Sequence, residues 1–599
     1  MRGSVIPKGT LIVAEKDKVA RALANILLVK YKITKYRGIP IYTSGNTWIF
    51  GVRGHILELD FAEYKKWILD SIEKLFNAKV RYYVREGMKR YVEAIKRYAT
   101  MAHRLYLALD NDVEGEHIAW EVLSIARRAN PHIMVYRVRF SSLDPEEIVN
   151  AFRNPDTINW NWVEKSATRQ EVDLRTGVIF TRLLTLSTRR HLRRDKMKKL
   201  LISYGPCQTP TLRLIVEPYL KWERGEKYRY RLKVEMLHPL YGEFAISKTY
   251  KKLEEANKIK DEILRIKYAK VIDFKLWHEK KNPPVPLDAY DYASRVSRFL
   301  KIPSREAMSI AEELYRRGLI SYPRTETQRY RGVDIRKVLQ RLRHYYDRDI
   351  NVVISKLLSK DKIIPREGSG DDKAHPPIYP IRGARRGELR SDKERMVYDF
   401  IVRHFLATLM PPAILEKSKA VIKIGSLTAE LHGVRITKKG YLEVYHYEIP
   451  KEKDIPLRKG NVLKVIRVSI SKEKVKPEYL SESELIKIMK IKGIGTDSTM
   501  HEHIHKNIVR KYAIRKGGRL IPTPLGIDLI KTLIHLTPEL ADVDLRSKME
   551  KAFSQVAEGT KKKKDVIADI LSTYREAYRK VIERIGEISK ILATHIGKR

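Results

Sequence analysis

Cysteine is almost missing from this chain. Cys207 is the only one, which excludes a disulfide framework and any four-cysteine zinc ribbon within the sequence. No apolar run is long enough to cross a bilayer, and Met1 to Ala20 lacks the apolar stretch of a secretory signal. Neither membrane insertion nor secretion is therefore expected, and the cytoplasm, at the nucleoid, is the expected place of work. No GxxxxGK[ST] segment occurs, so ATP is unsupported as a fuel. Glutamine is scarce while charged residues make up 32% of the chain, a pattern shared by hyperthermophile proteins. Negative charge is the minority: 73 Asp and Glu face 120 Lys and Arg, a formal +47 over 599 residues. Solubility needs far less, so a polyanionic partner is implied, nucleic acid first. The length exceeds what one hydrophobic core supports and, at roughly 150 residues per domain, suggests about four.

What is present reads first as α/β. TLIVA, Thr10 to Ala14, is a buried-strand pattern ending at Glu15, and Val19, Ala20, Leu23, Ile26 and Leu27 then share one helical face. The pattern recurs at LYLAL, Leu105 to Leu109, followed by an acidic turn and a helix with Ile118, Val122 and Ile125 inward. Ligands of open α/β sheets gather at the carboxyl ends of strands, where Glu15 and Asp110 fall. Asn150 to about Val216 reads helical and very basic. Tyr228 to Leu237 and Ala420 to Tyr447 alternate apolar with polar residues, as antiparallel strands do. The stretch between NPPVPL, Asn282 to Leu287, and MPP, Met410 to Pro412, reads as a helical insertion into that β-rich part. Within it, Ser304 is the expected N-cap of a helix that ends before Gly318 and delivers the chain to Ser321 and Tyr322. From Lys548 onward the pattern is basic amphipathic helix.

DNDVEGE, Asp110 to Glu116, packs four carboxylates into one strand-to-helix turn. Two carboxylates about 4 Å apart repel by roughly 4 kcal/mol at an effective dielectric near 20. Mg²⁺ on Asp110, Asp112 and Glu114 would compensate that repulsion while facing a phosphate; a solvated helix N-terminus would also favour acids there. The spacing also fits an EF-hand calcium loop, but a strand precedes it, His117 stands where an apolar residue is usual, and no second hand follows.

SYPRTET, Ser321 to Thr327, sets a tyrosine two residues before an arginine. Arg324 can fork onto phosphate oxygens and Pro323 stiffens the link, so Tyr322 reads as a nucleophile that needs a cation or base to help its phenol ionise. His375, in AHPPIYP, is a candidate phosphate contact, although a His before two prolines is often an ordinary loop residue. HEHIH, His501 to His505, fits the zinc-protease pattern HExxH, yet it follows a glycine-rich turn and reads as a helix start. In SYGPCQTPTL, Pro210 could open a helix whose free amides, with Thr209 and Thr211, receive a phosphate. VRYYVREGMKRY, Val80 to Tyr91, reads either as a stacking surface for single-stranded DNA or as an amphipathic helix with snorkelling lysines.

These segments, in this order, resemble the type IA DNA topoisomerases, and most of all the topoisomerase III branch. The matching stretches are LIVAEKDKVARALA, LALDNDVEGE, RQEVDLRTGVIFTR, SYGPCQTPTL, NPPVPLDAY, GLISYPRTET, AHPPIYP and GIGTDSTMHEHI, running from about residue 10 to TPLG near residue 526. The resemblance implies a multidomain α/β plus α and β architecture. A Rossmann-like Toprim domain (1–155) comes first, followed by a helical DNA-groove domain (156–215 and 475–599) of winged-helix or CAP-like character. A β-rich arch (216–281 and 410–474) carries a helical domain (282–409) that bears the tyrosine, and the parts close into a toroid. It further implies that Tyr322 forms a 5′-phosphotyrosyl link, that Glu15 is the general acid, and that Lys16 and Arg324 steady the phosphate. His375 would assist there, and Asp110, Asp112 and Glu114 would hold Mg²⁺. Arg169, Asp173, Gln208, Thr209, Thr211, Thr496 and Ser498 would contact or organise DNA.

The implied activity is ATP-independent cutting, passing and resealing of one strand of single-stranded or negatively supercoiled DNA. RNA is a further candidate substrate and a helicase a candidate partner. Pro206 stands where many family members carry arginine, so no phosphate contact is assigned to it. The family's common zinc-ribbon tails have no counterpart here, and the basic C-terminal region, including Lys561 to Lys564, is a candidate for holding the passing strand. A Toprim nuclease or primase would share the acidic turn without needing Tyr322; a single-strand-binding protein would explain the charge but not the ordered acids.

Overall fold

The structure, a computed structural model, describes residues 6–193, 200–343, 345–385, 387–495 and 499–597, the side chains of 595–597 excepted. The N-terminal part is a six-stranded sheet built from β1 (Thr10–Glu15), β2 (Lys32–Tyr36), β3 (Ile39–Ser44), β4 (Thr47–Val52), β7 (Arg104–Ala108) and β8 (Met134–Arg137), in the order β2-β3-β4-β1-β7-β8. Between β4 and β7 a separate ladder pairs β5 (Leu57–Phe61) with β6 (Val80–Val84). β1 lies parallel to β4 and β7, and β7 to β8. Both faces of β1 are covered, which is why it reads as an unbroken apolar run. Leu11 and Val13 pack toward the helices Lys89–Met101 and Val113–Ala129, while Ile12 and Ala14 pack toward Asp17–Leu27 and Pro145–Arg153. The expected helical face after β1 buries Val19, Ala20, Leu23 and Leu27, with Ile26 half-buried at its edge. Ile118, Val122 and Ile125 are all buried as anticipated.

The second sheet is antiparallel. It comprises β9 (Tyr228–His238), β10 (Gly242–Tyr250), β11 (Tyr268–Lys281), β12 (Ala413–Ile424), β13 (Leu427–Lys438) and β14 (Val462–Lys474), in the order β10-β9-β14-β11-β12-β13. β11 and β12 are neighbours in space although about 130 residues of helical chain separate them in sequence. That intervening chain folds on its own apolar core, with Tyr292, Met308, Leu314, Phe400 and Phe405 among its buried members. A third assembly surrounds the long helix Trp160–Arg189, which runs beside Lys563–Gly597 and shares a core with Gln208–Arg224 and Val543–Ala557. Among the described residues no helix is long and apolar enough to cross a membrane.

Three local expectations are corrected. Val80 to Tyr91 is not one helix: Val80–Val84 pairs with β5, and a helix starts only at Lys89, after Gly87 turns the chain at φ +76°. Pairing to β5 outweighs the helical spacing of its apolar residues, a tertiary override of local pattern. Strand character in Ala420 to Tyr447 stops at Lys438, where Gly440 at φ +50° starts a short 3₁₀ turn. Ser304 opens its helix but does not cap it. Pro303 holds the cap position, and the Ser304 amide and hydroxyl both donate to Glu482, tying this helix to the C-terminal part.

Arg546 is a polar tie inside the third assembly. Its fully buried guanidinium donates to Glu550 Oε1 (3.0 Å from Nε) and to Asp173 Oδ1 (3.2 Å from Nη1), joining Val543–Ala557 to Trp160–Arg189. Removing one partner of such a pair strands the other charges in an apolar setting. Arg546→Met is therefore expected to lower stability by about 3 kcal/mol, measured as a shift in the denaturant midpoint of the unfolding step that involves these helices.

Candidate active site

The acidic turn is built by three backbone constraints. β7 ends at Ala108, and Asp112 caps the following helix, its Oδ1 accepting from the Gly115 amide at 2.7 Å. A Cβ at position 115 would lie 2.0 Å from the Asp110 carbonyl oxygen, so glycine is required there. Arg137, fully buried, donates to the carbonyls of Leu107 (3.1 Å), Leu109 (2.8 Å) and Asp110 (2.7 Å) and to Glu116 Oε1 (3.0 Å). Glu116 is thereby consumed in an ion pair with Arg137 and Arg139. The four clustered carboxylates are not equivalent: one is structural, and Asp110, Asp112 and Glu114 remain.

Those three differ in compensation. Burial would raise the Glu114 carboxyl, but its contact with His55 at 2.9 Å outweighs this and brings it down to about 2. Asp110 lacks a histidine of this kind among the described residues: burial, then the charges of Glu15 and Asp112, push its carboxyl well above the usual range. An under-compensated carboxylate pair beside a third acid is the donor set a hard divalent cation satisfies, so these residues fit Mg²⁺.

Glu15 and Lys16 lie at the end of β1, with Lys16 Nζ 3.4 Å from Glu15 Oε1. Lys16 takes the left-handed region (φ +71°), and a Cβ on Gly51 of the neighbouring strand would lie 2.3 Å from its carbonyl group. Such strain is held where surrounding structure over-determines it, a common property of functional sites.

The tyrosine arrives from the inserted module. The helix Ser304–Arg316 ends, Gly318 turns at φ +66°, and the Tyr322 amide donates to the Ser141 carbonyl at 2.8 Å. Its phenol, buried, donates to Asp112 Oδ2 at 2.5 Å across 210 residues of sequence. Burial and the charges of Asp112 and Asp110 push that phenol well above its ordinary range, while Arg324 pulls the other way. Arg324 holds Glu312, with Nε 3.0 Å from Oε1. The ring of Tyr322 stacks on His375 with centroids 4.9 Å apart.

His375 Nδ1 lies 3.2 Å from Asp372 Oδ2, whereas its buried Nε2 has no hydrogen-bond partner among the described residues. Asp372 was missed in the sequence. Its Oδ1 accepts from the Thr327 hydroxyl (2.8 Å) and from the Ala374 and His375 amides (2.9 and 2.8 Å), and its Oδ2 from the Thr325 hydroxyl (3.1 Å). Burial opposes ionisation of Asp372, but the His375 hydrogen bond and charge prevail and hold it well below the carboxylate range. The signal was local: an Asp three residues before the His, on a loop packed against SYPRTET. Arg137 was missed too, and nothing in its surroundings along the chain marks it.

A cavity of about 230 Å³ opens where the N-terminal sheet, the helix Trp160–Arg189 and the inserted module meet, lined by Asp112, Glu114, Arg169, Arg324, Asp372 and His375 among others. Arg169 also donates to Thr499 Oγ1 at 3.2 Å, while Asp173, one turn on, is engaged by Arg546. Other expected DNA contacts do not reach this cavity. Gln208 Nε2 donates to Ser203 Oγ (3.2 Å) and the buried Thr211 hydroxyl donates to the Cys207 carbonyl (2.8 Å). Thr209 is also buried, and the Thr209 and Thr211 amides are already bonded to the carbonyls of Gly205 and Cys207. The expectation that Pro210 opens the helix is corrected: the helix begins at Gln208, and the Thr209 and Thr211 amides and the Thr211 hydroxyl donate within this segment. Thr496 and Ser498 lie outside the described residues. HEHIH lies in the helix Met500–Val509, where Glu502 and His505 both engage Arg305 and burial pushes His501 down to about 4. That helix thus contacts the tyrosine module and is not a zincin site.

Comparison with known proteins agrees with this geometry. The model of the DNA topoisomerase family matches residues 157–568, and that of the Toprim domain residues 10–143. The chain is 34% identical to DNA topoisomerase 1 of Archaeoglobus fulgidus over 93% of its own length and 82% of that protein. It is 31% identical to DNA topoisomerase 3 of Schizosaccharomyces pombe, over 96% of each. The solved full-length topoisomerase I of Thermotoga maritima shares the fold at a TM-score of 0.70 and 23% identity, covering 95% of this chain and 90% of that one. A Toprim sheet whose acids meet a tyrosine from an inserted module defines a class of DNA-cutting enzymes. This chain belongs to the type IA DNA topoisomerases.

Asp372 anchors the His375 ring through Nδ1, so loosening that ring should be visible kinetically. Asp372→Asn is expected to slow single-turnover cleavage of a DNA oligonucleotide by about tenfold or more, with equilibrium binding of the same oligonucleotide little changed.

Proposed function

We propose that Tyr322 is the nucleophile of this topoisomerase. Its phenol oxygen attacks a backbone phosphorus, the bond to the 3′ oxygen breaks, and a 5′-phosphotyrosyl link forms. Asp112 Oδ2, toward which the phenol proton already points, takes that proton; Glu15 supplies the one acquired by the departing 3′ oxygen. Lys16 and Arg324 offset the charge that develops on the phosphate, and His375 offers Nε2 to one of its oxygens. Arg169 orients the strand, with Asp173 steadying it. Resealing reverses these steps. The phosphotyrosyl bond retains most of the energy of the broken diester, so no ATP is needed. Asp110, Asp112 and Glu114 would hold Mg²⁺, which when bound neutralises phosphate charge beside the carboxylates.

The observation that carries this reading is the 2.5 Å contact between the Tyr322 phenol and Asp112 at the wall of a charged cavity. We further propose the four-part division 1–155, 156–215 with 475–599, 216–281 with 410–474, and 282–409, arranged as a toroid. The tyrosine-bearing part would lift from the Toprim sheet to let a strand through. The substrates would be single-stranded and negatively supercoiled DNA, with RNA and a helicase partner as extensions of the same reading.

Two experiments test it. Tyr322→Phe should abolish protein trapped by denaturant on the 5′ end of cut DNA while leaving single-strand binding nearly intact; relaxation of plasmid by that variant would overturn the assignment. Asp110→Asn with Asp112→Asn, or EDTA on the unaltered enzyme, should stop plasmid relaxation, and indifference to both would refute the metal role.

A further inference from the structure

We propose that His55, His117 and Glu121 form a second metal site, for a transition-metal dication of the Zn²⁺ class, behind the acidic turn and separate from the Mg²⁺ position. His117 and Glu121 stand four residues apart on one face of the helix Val113–Ala129, and His55 reaches them from the loop between β4 and β5. One ligand atom from each lies within 4.8 Å of the others. Glu121 is fully buried and rigid, because its Oε2 accepts the amides of Ile56 (2.7 Å) and Leu57 (3.1 Å). Its Oε1 is thereby aimed at His55 Nδ1, at 2.8 Å, and at His117 Nε2, at 3.7 Å. Tetrahedral coordination with bonds of about 2.0–2.1 Å separates ligand atoms by roughly 3.3 Å, so both spacings are within a small side-chain adjustment.

His117 is the independent observation. Its ring is wholly buried, and among the described residues neither nitrogen makes a well-formed hydrogen bond, the Val163 backbone giving one of them a marginal contact. A buried imidazole left unsatisfied calls for an explanation. A proton shared between His55 and Glu121 satisfies those two groups but leaves His117 stranded, whereas a metal ion satisfies all three. The rings of Tyr82 and Trp120 pack against His117, with centroids 5.6 and 5.0 Å away, giving the site an apolar wall. Imidazole nitrogens and a single carboxylate favour Zn²⁺ and similar ions over Mg²⁺.

The site also has an outer shell. His55 Nε2 lies 2.9 Å from Glu114 Oε2, so an ion on Nδ1 would leave Nε2–H donating to Glu114, the carboxylate–histidine–metal arrangement. On binding, the Nδ1 proton of His55 passes to solvent and the ion takes its lone pair. A second ion would thus orient one of the acids of the catalytic turn from behind.

The test uses the full chain, stripped with a chelator and titrated with Co²⁺ in the absence of Mg²⁺. The expected result is one ion per chain with the absorption of tetrahedral Co²⁺, displaced by Zn²⁺. The signal should persist in Asp110→Asn with Asp112→Asn and vanish in His117→Leu. Should His117→Leu fail to fold by circular dichroism, His55→Gln, at the more exposed ring, must show the same loss. No stoichiometric binding by the unaltered chain, or binding unchanged in the folded histidine variants, overturns the proposal.

Discussion

Carboxylates gathered with little exposure are costly taken alone, and the architecture brings the Tyr322 phenol to donate to one of them. Burial and the charges of Asp112 and Asp110 push the Tyr322 phenol well above its ordinary range, with Arg324 acting the other way. The contact is imposed from outside. The Tyr322 amide is bonded to Ser141, and the Ala374 carbonyl accepts from Asn111 (3.3 Å) and Ser141 (3.4 Å), all across the junction between the two modules. Ion pairs surround it: Lys18 with Glu313, Lys337 with Glu146, and Arg341 with Asp144. Exposed pairs are worth about 0–1 kcal/mol each. The junction is thus held by several separate polar ties as well as by the Tyr322–Asp112 contact.

The acidic turn shows how one short segment serves two purposes. Glu116 and Arg137 shape the turn: Arg137 donates to the Leu109 and Asp110 carbonyls where the strand ends and adds a second bond to the Leu107 carbonyl, which the Val138 amide already engages. Glu114 is charged at modest cost because His55 stands against it, while Asp110 and Asp112 keep their mutual repulsion. That unresolved repulsion is the charge that the proposed Mg²⁺ would offset. The positive charge in excess along the chain suits a polyanionic partner, while Asp110, Asp112 and Glu114 gather negative charge at the junction with the tyrosine module.

The fold and the site were legible to different depths. β1, β7 and the helices behind them could be read because a doubly covered strand is continuously apolar and an amphipathic helix repeats its buried face. Tyr322, Arg324 and the acidic turn stood out as chemically costly clusters. For Val80 to Tyr91 only the helical alternative fails, because pairing of Val80–Val84 with β5 is a long-range decision that local spacing does not carry. Ser304 was misassigned as a cap for a similar reason, since its hydroxyl is claimed by Glu482 from the far end of the chain. Thr209 and Thr211 looked free because a sequence does not reveal which donors a helix end will consume.

The amino-acid sequence by itself determined the class of chemistry: an acid cluster at a strand end, a tyrosine with its arginine, a large cationic excess and no nucleotide-binding loop. These are properties of residue type and short spacing, and they survive without coordinates. Tertiary structure alone decided which acid meets the phenol, that Asp372 holds His375, that Glu116 is spent on Arg137, and that His55 and His117 converge on Glu121. Each of those depends on contacts between segments far apart in the chain, and such contacts are set by how separate cores pack against one another.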